Sequence, residues 1–273
     1  MDREDIRSHI ENAGNLPTLP DVVLRIADMA DRSETTGRQL GLEIERDQVL
    51  SAKVLKLVNS GFYGFSQPIA AIPHAVTLLG FDTIKSLVLS ANVLDLMKDA
   101  LPGLWEHSLA CARTCGFIAD HLAMDDLEEI RTAGLLHDLG KVVLRQAMED
   151  AFARVQRRIK EEDLLFFEAE QRELGAHHGE FASWLLEKWS LPERLVRPIA
   201  DHHTFTLECP FAYYTAVVHL ADILCRAESF GRGGDRKIPR LDPQALALLE
   251  LTADDVAVIM ERMNEELRDI ARM

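Results

Sequence analysis

Eight of the ten histidines lie between positions 107 and 219. His107 heads the series Cys111, Cys115, Ile118, Leu122, with steps of 4, 4, 3 and 4, so its imidazole belongs to the apolar stripe of a helix. Asp222 follows Val218 by four residues and precedes Cys225 by three, on a second such stripe. A carboxylate placed there must meet a cation, hydrogen-bond donors or a metal ion to offset lost hydration. Between the two, the small apolar run Ala133-Gly134-Leu135-Leu136 leads into His137-Asp138-Leu139-Gly140-Lys141. Read as helix, His137 and Asp138 point about 100° apart, which lets them clasp one ion from two sides. His177-His178 opens one helix and Asp201-His202-His203 closes another, each pair offering a working ligand beside an exposed neighbour. Neutral imidazole with ionised carboxylate suits Zn, Mn, Fe, Ni or Co, as one ion or two, better than Ca or soft copper.

Each candidate has a plainer reading. His107 alone fits a hydrogen-bonded core histidine, and Asp222 alone fits an ion pair with Arg226 at i+4. Cys111 and Cys115, also at i and i+4, read as small core residues rather than ligands. His121 and His219 read as surface or supporting groups. The joint pattern is more specific than any member and points to a metal site.

The elements that must position these groups are helices. From Ile84 the apolar positions continue at Leu87, Val88, Ala91 and Leu94, with Asp82 placed as N-cap. An earlier stripe runs through Val23, Ile26, Ala27 and Ala30 after Pro20, and another through Leu50, Val54, Leu57 and Val58 to the break at Asn59-Ser60-Gly61. No strand-like alternation appears, so the fold class is all-α. The Asp99-Ala100-Leu101-Pro102-Gly103 break predicts two packed helical halves: residues 1–100, residues 101–230 with the histidines, and a remainder 231–273 packing on the second half. In the second half the patterns predict helices from Leu104, from Leu127 behind an Asp125/Asp126 capping box, over Phe152–Gln171, and from near His178, Pro192 and Pro210. Gly231 to Arg240, with Arg232, Arg236, Lys237 and Arg240, reads as a flexible, locally basic loop, and Asp254 to Arg268 as a charged lid or partner helix.

Composition narrows the function. Against 30 Lys and Arg stand 45 Asp and Glu, a formal charge of −15, which disfavours a nucleic-acid partner. The longest apolar runs, such as Leu87–Leu89, predict no membrane span. Four cysteines without CxxC spacing and no recognisable leader predict a reducing, cytoplasmic setting.

His107, the pair His137-Asp138 followed by Gly140-Lys141, and Asp222 in Val217-Val218-His219-Leu220-Ala221-Asp222 resemble the H…HD…D signature of HD-superfamily metal-dependent phosphohydrolases. Over about residues 16 to 230 the chain resembles more closely the HDOD domain, the HD-related output domain of bacterial signalling proteins. Leu16-Pro17-Thr18-Leu19-Pro20, Asp47 before Lys53-Val54-Leu55-Lys56-Leu57-Val58-Asn59-Ser60, Ile72-Pro73-His74-Ala75-Val76-Thr77-Leu78-Leu79-Gly80, Leu174-Gly175-Ala176-His177-His178, Trp189-Ser190-Leu191-Pro192 and His202-His203 carry that resemblance. It implies that the C-terminal half is an HD-type bundle in which His107, His137, Asp138 and Asp222 form a four-ligand site, extended by His178 and by His202, His203 or both. Many HDOD members have lost these ligands and act as signalling or scaffolding modules, whereas this chain keeps them. Thr204-Phe205-Thr206 stands where the Gly-Tyr-Pro of HD-GYP relatives would follow, which argues against cyclic di-GMP hydrolysis. Gln48 in place of the proline that often follows Asp47 matters little. The resemblance implies a signal-transduction module holding one or two divalent ions, with a signalling protein as partner. Its alternative is a phosphohydrolase acting on a phosphorylated, nucleotide-like small molecule, with His137, Asp138 and Lys141 in the chemistry. There Lys141 either neutralises phosphate oxygens or stands solvated on the far side of its helix.

Overall fold

The computed structural model describes residues 3–13, 16, 21–59, 65, 67–125 and 127–267. Pro17 to Pro20, Ser60, Gly61, Asp126 and Arg268 lie outside the described residues, as does the side chain of Leu94. In chain order the helices are α1 (Arg3–Asn12), α2 (Asp21–Asp31), α3 (Gly37–Glu45), α4 (Gln48–Val58), α5 (Ile72–Ala100), α6 (Leu104–His121), α7 (Leu127–Leu136), α8 (Leu139–Ala147), α9 (Glu149–Glu162), α10 (Phe166–Leu174), α11 (His178–Lys188), α12 (Glu193–Asp201), α13 (Ala212–Ala227), α14 (Pro243–Leu248) and α15 (Ala253–Glu266). Among the described residues there is no strand.

One compact unit comprises Pro17–Asp95. The side chain of Thr36 and the Gln39 amide cap each other's backbone at the start of α3, and Asp47 Oδ1 accepts the Val49 and Leu50 N–H groups at 3.0 and 2.9 Å to start α4. Val23, Ile26, Leu40, Ile44, Leu50 and Val54 are buried along these stripes. Asn59 ends α4 and grips the chain ten residues on, donating to Ile69 O at 2.8 Å and accepting from Ile69 N at 2.6 Å. Helix α5 is interrupted at Gly80 (φ 79°, ψ 173°), so the helical stripe from Ile84 restarts just before Asp82. One segment of it, Ile72–Ala91, has a mean hydropathy of 1.2 and by length and composition alone could cross a membrane, which the short apolar runs did not foretell. Of that window 44% is buried inside the protein.

The other unit, Met1–Leu16 with Leu96–Met273, carries nine of the ten histidines. Its centre is α6 and α13, apolar almost all round and buried along nearly their whole length, a pattern that only a helix surrounded by others can sustain. Helix α7 packs on α6, α12 on α13, and α11 on both α8 and α12. Helix α1 packs its buried Ile6 and Ile10 side against α8 and α11. Each such Leu, Ile or Phe removed from water contributes about 1.5–3 kcal/mol.

Two expected elements differ. The expected helix over Phe152–Gln171 is two, because Asp163 takes a left-handed conformation (φ 49°) and α10 restarts at Phe166. Helix α15 does not act as a free lid. It lies on α6 through Arg113–Glu266 and His121–Asp255 ion pairs, with the Arg262 guanidinium 4.3 Å from the Phe117 ring centre.

The α8–α11 approach depends on a missing side chain. A Cβ on Gly140 would stand 1.8 Å from the His178 carbonyl oxygen, which only a backbone shift could relieve. Gly140→Ala is therefore expected to cost about 1–3 kcal/mol or more in chemical denaturation. Gly175→Ala, where φ is +71° but nothing lies within 4 Å, should cost only the conformational penalty of about 1–2 kcal/mol.

Candidate metal centre

His137 and Asp138 are not consecutive helical residues. They form the turn between α7 and α8, with Asp138 near the bridge region of the backbone map (φ −94°, ψ 5°), and this break, rather than the 100° helical step, lets both face the same interior. His107 enters from α6, Asp222 from α13, His178 from the first position of α11, and His202 and His203 from the end of α12. His107, His137, Asp138, His178, His202 and Asp222 are all buried, and His203 is half-buried.

The imidazoles share one orientation. Nδ1 of His137 donates to Gly134 O at 2.7 Å and Nδ1 of His202 to Ile199 O at 2.8 Å, each capturing a carbonyl left open at its own helix end. His178 Nδ1 is 2.6 Å from Glu170 Oε2, which also accepts the His178 N–H at 2.9 Å, and His107 Nδ1 faces Phe230 O at 3.3 Å. In His137 and His202, with Nδ1 occupied as donor, Nε2 is left as a lone pair pointing inward. The inward nitrogens lie close to the acids and to one another. His107 Nε2 is 3.0 Å from Asp222 Oδ1, His137 Nε2 is 3.5 Å from Asp138 Oδ2 and 3.8 Å from Asp222 Oδ1, and His178 Nε2 is 3.2 Å from Asp138 Oδ1 and 3.1 Å from His203 Nε2. Nε2 of His137 and of His202, fully buried, have no hydrogen-bond partner.

Three overlapping groups of donor atoms result, each within 4.8 Å: His107, Cys111, His137 and Asp222; His137, Asp138 and His202; and His178, His202 and His203. Lone pairs converging on lone pairs, away from water, are stable only around cations. The charge balance agrees. Asp138, Asp222, Glu170 and Asp235 are buried carboxylates, faced by the buried cations Lys141 and Arg226 and, at Glu170, by the His178 ring. The residues present therefore fit a divalent ion in both donor set and charge. Burial pushes the His137 pKa down to about 4, with Asp138 and Asp222 opposing weakly, so the ring is a neutral ligand at pH 7. Burial would raise the Asp138 and Asp222 carboxyls, but Lys141 and the histidines hold Asp138, and Arg226 and His107 hold Asp222, well below the usual range. His178 is pushed up: burial opposes a proton there, and Glu170 and Asp138 outweigh it.

The segment after α13 closes this interior and is not the flexible loop its glycines suggest. Gly231 (φ 70°) lies so close to α6 that a Cβ there would stand 2.1 Å from His107 N. Arg232 N donates to Gly103 O at 2.9 Å. Asp235 is clamped by Arg226 at 2.8 and 3.1 Å and accepts the open N–H of Phe166 at 2.8 Å. Lys141, fully buried, bridges Asp138 Oδ1 at 2.6 Å and Gly233 O at 2.7 Å, which excludes the solvated alternative. The basic side chains Arg232, Arg236, Lys237 and Arg240 are exposed.

Other expectations are corrected or sharpened. His177 is buried rather than exposed: it caps α11, accepting Gly179 N at 3.2 Å. Arg226 does pair with Asp222 at 3.1 Å, alongside the histidines rather than instead of them. His219 supports the site, donating to His202 O at 2.7 Å and accepting Asp242 N at 3.0 Å. Sequence reasoning missed Glu170 and Asp235. Glu170 was detectable, since Phe166, Glu170 and Leu174 form an i, i+4, i+8 stripe like those of His107 and Asp222. A cavity of about 310 Å³ opens beside His203, with Phe205, His219, Arg240 and Asp242 in its wall, while a larger one of about 530 Å³ at His121, Tyr213 and Asp255 reaches none of the ligands.

The closing strap has a defined pH response. Burial would raise the Asp235 carboxyl, but the Arg226 hydrogen bonds hold it below its ordinary value. Its contribution is complete above the unfolded-state pKa of about 3.9 and is lost as pH falls through the lower folded value. Asp235→Asn removes it at every pH. At about 3 kcal/mol for one partner of a buried pair, amide exchange in residues 231–240 should accelerate roughly a hundredfold at pH 7 while α6 stays protected.

The HDOD domain family matches residues 16–205, so Asp222 and the strap lie beyond the matched segment. An HDOD domain protein of unknown function from Geobacter sulfurreducens is 28% identical, with 99% of this chain and 97% of that one aligned at a TM-score of 0.81. A candidate phosphohydrolase from Shewanella amazonensis, 20% identical over 97% of both chains at a TM-score of 0.75, shares the fold. An uncharacterised protein of Treponema pallidum is 26% identical over 197 residues, 69% of this chain, and the aligned region spans only 38% of that relative. With the family matching well over half of its length and an all-α architecture shared across the whole chain, this protein belongs to the HDOD domain family.

Proposed function

We propose that this chain is a bacterial signal-transduction HDOD module that retains a divalent-metal centre, working in the reducing cytoplasm with a signalling protein as partner. The observation that carries this reading is that His137 and His202 spend Nδ1 on their own backbone and leave a buried Nε2 without a hydrogen-bond partner, in a cluster with His107, His178, Asp138 and Asp222. His107, His137, Asp138 and Asp222 would hold one ion; His178, His202 and His203 would hold a second, with Asp138 between them. Such an ion ties α6, the α7–α8 turn, α11, α12 and α13 together, so occupancy is coupled to the integrity of the bundle. All four cysteines are free and buried, in keeping with that compartment.

One observation favours a second reading, a phosphohydrolase on a phosphorylated small molecule. His203 is half-buried and lines the 310 Å³ cavity, with Phe167 stacked on its ring at 4.5 Å. A bound divalent ion supplies a Lewis acid and lowers the pKa of water toward neutrality. In that reading His137 and Asp138 position the ion. Lys141, freed from Gly233 O by strap opening, would offset charge on a phosphate oxygen.

Metal analysis of the purified full-length chain, with thermal unfolding before and after chelation, tests the first reading. At a hundredfold excess over Kd an ion adds about 2.7 kcal/mol, so chelation should lower Tm by about 5–10 °C. The paired variant His137→Ala, Asp138→Ala should bind no metal and show no Tm response. Turnover of phosphodiester or phosphomonoester substrates with Mn or Ni, abolished in that variant, would establish the hydrolase instead. Absence of both bound metal and a chelation response would overturn both.

A further inference from the structure

Cys111 stands one helical turn beyond His107 on α6, fully buried, with its sulfur between the cluster and Cys225 of α13. Sγ is 3.7 Å from His107 Nε2, and it lies within 4.8 Å of the donor atoms of His107, His137 and Asp222 together. Cys115, one turn further, points instead to the α6–α7 contact, where a Cβ on Gly134 would meet its sulfur at 2.6 Å. Cys225 hydrogen-bonds Thr114 at 3.3 Å. An independent observation marks the space as a ligand site: His137 Nε2, fully buried and without a hydrogen-bond partner, is aimed into it.

The spacing suits coordination. With metal–nitrogen bonds of about 2.0 Å and metal–sulfur bonds of about 2.3 Å, adjacent ligand atoms in a tetrahedral site stand about 3.3–3.6 Å apart. The 3.7 Å from Sγ to His107 Nε2 is close to that spacing, and the wider gaps in the group, within 4.8 Å, close by side-chain movements of about 1 Å. Building on the metal-centre reading above, we propose that the Cys111 thiolate is a ligand of the ion held by His107, His137 and Asp222. That half of the centre is then a nitrogen, oxygen and sulfur site selecting Zn, Fe(II) or Co(II) over Mg and Mn. On uptake a metal–sulfur bond forms and the thiol proton leaves to solvent, with no change of oxidation state. The neighbouring set His178, His202 and His203, with Asp138 between the two halves, contains no sulfur, so the two halves differ in softness.

Cobalt(II) added to the metal-free, full-length protein reads this directly. The expected spectrum has visible d–d bands and a near-ultraviolet thiolate-to-cobalt charge-transfer band. Cys111→Ser should keep the former and lose the latter, while Cys115→Ser and Cys225→Ser keep both. Competition should show Zn affinity falling by at least about tenfold in Cys111→Ser, with Mn affinity nearly unchanged. Visible bands without charge transfer in the unaltered protein would overturn the sulfur ligand and leave the metal centre standing. Loss of the band in Cys115→Ser or Cys225→Ser alone would overturn it too. No cobalt binding at all would sink the metal-centre reading with it. If Cys111→Ser fails to fold, the unaltered protein's spectrum and the other two serine variants decide the matter.

Discussion

Two carboxylates held away from water, Asp138 and Asp222, govern their surroundings. Each is ionised in a place where an ionised group is costly, and the bundle answers by surrounding it with positive charge and imidazole. Lys141 and Arg226 are the permanent part of that answer. Each spans two structures at once, one end on an acid and the other on the strap, so the strap's position and the acids' neutralisation are a single electrostatic arrangement. The remaining deficit is what a divalent ion would fill.

Helix ends, more than helix faces, build the site. Two histidines stand where a helix runs out of internal hydrogen bonds and spend Nδ1 on the last carbonyls; a third starts a helix and lends its N–H to a buried glutamate. The backbone thus fixes ring orientation without a dedicated partner for each ligand. Close packing makes this rigid, since α8 and α11 touch at the glycine beside the His-Asp turn and leave His178 no room to drift.

Much of this was legible in the residues. Helical spacing placed His107 and Asp222 inside, and the break between Leu136 and Leu139 brings the His-Asp pair beside them. Periodicity could not show that His137-Asp138 is itself the turn, because an apolar run continues on both sides of it. Nor could it show that Gly231 to Arg240 is stitched down: its glycines serve close approach to α6 and α10, a property of tertiary contact, while local composition reads only as freedom. His177 was misread for a similar reason, since nothing in two adjacent histidines says which one caps the helix. Glu170 carried the same signal as the ligands and was hidden among ordinary helical charges.

The strap also decides how fast anything passes in or out. The strap is hydrogen-bonded at Gly103, at Phe166 through Asp235 and at Lys141, so opening it requires those bonds to break together. Residence time is then governed by the rate of local opening rather than by intrinsic affinity alone. An ion held there would exchange on the timescale of that opening.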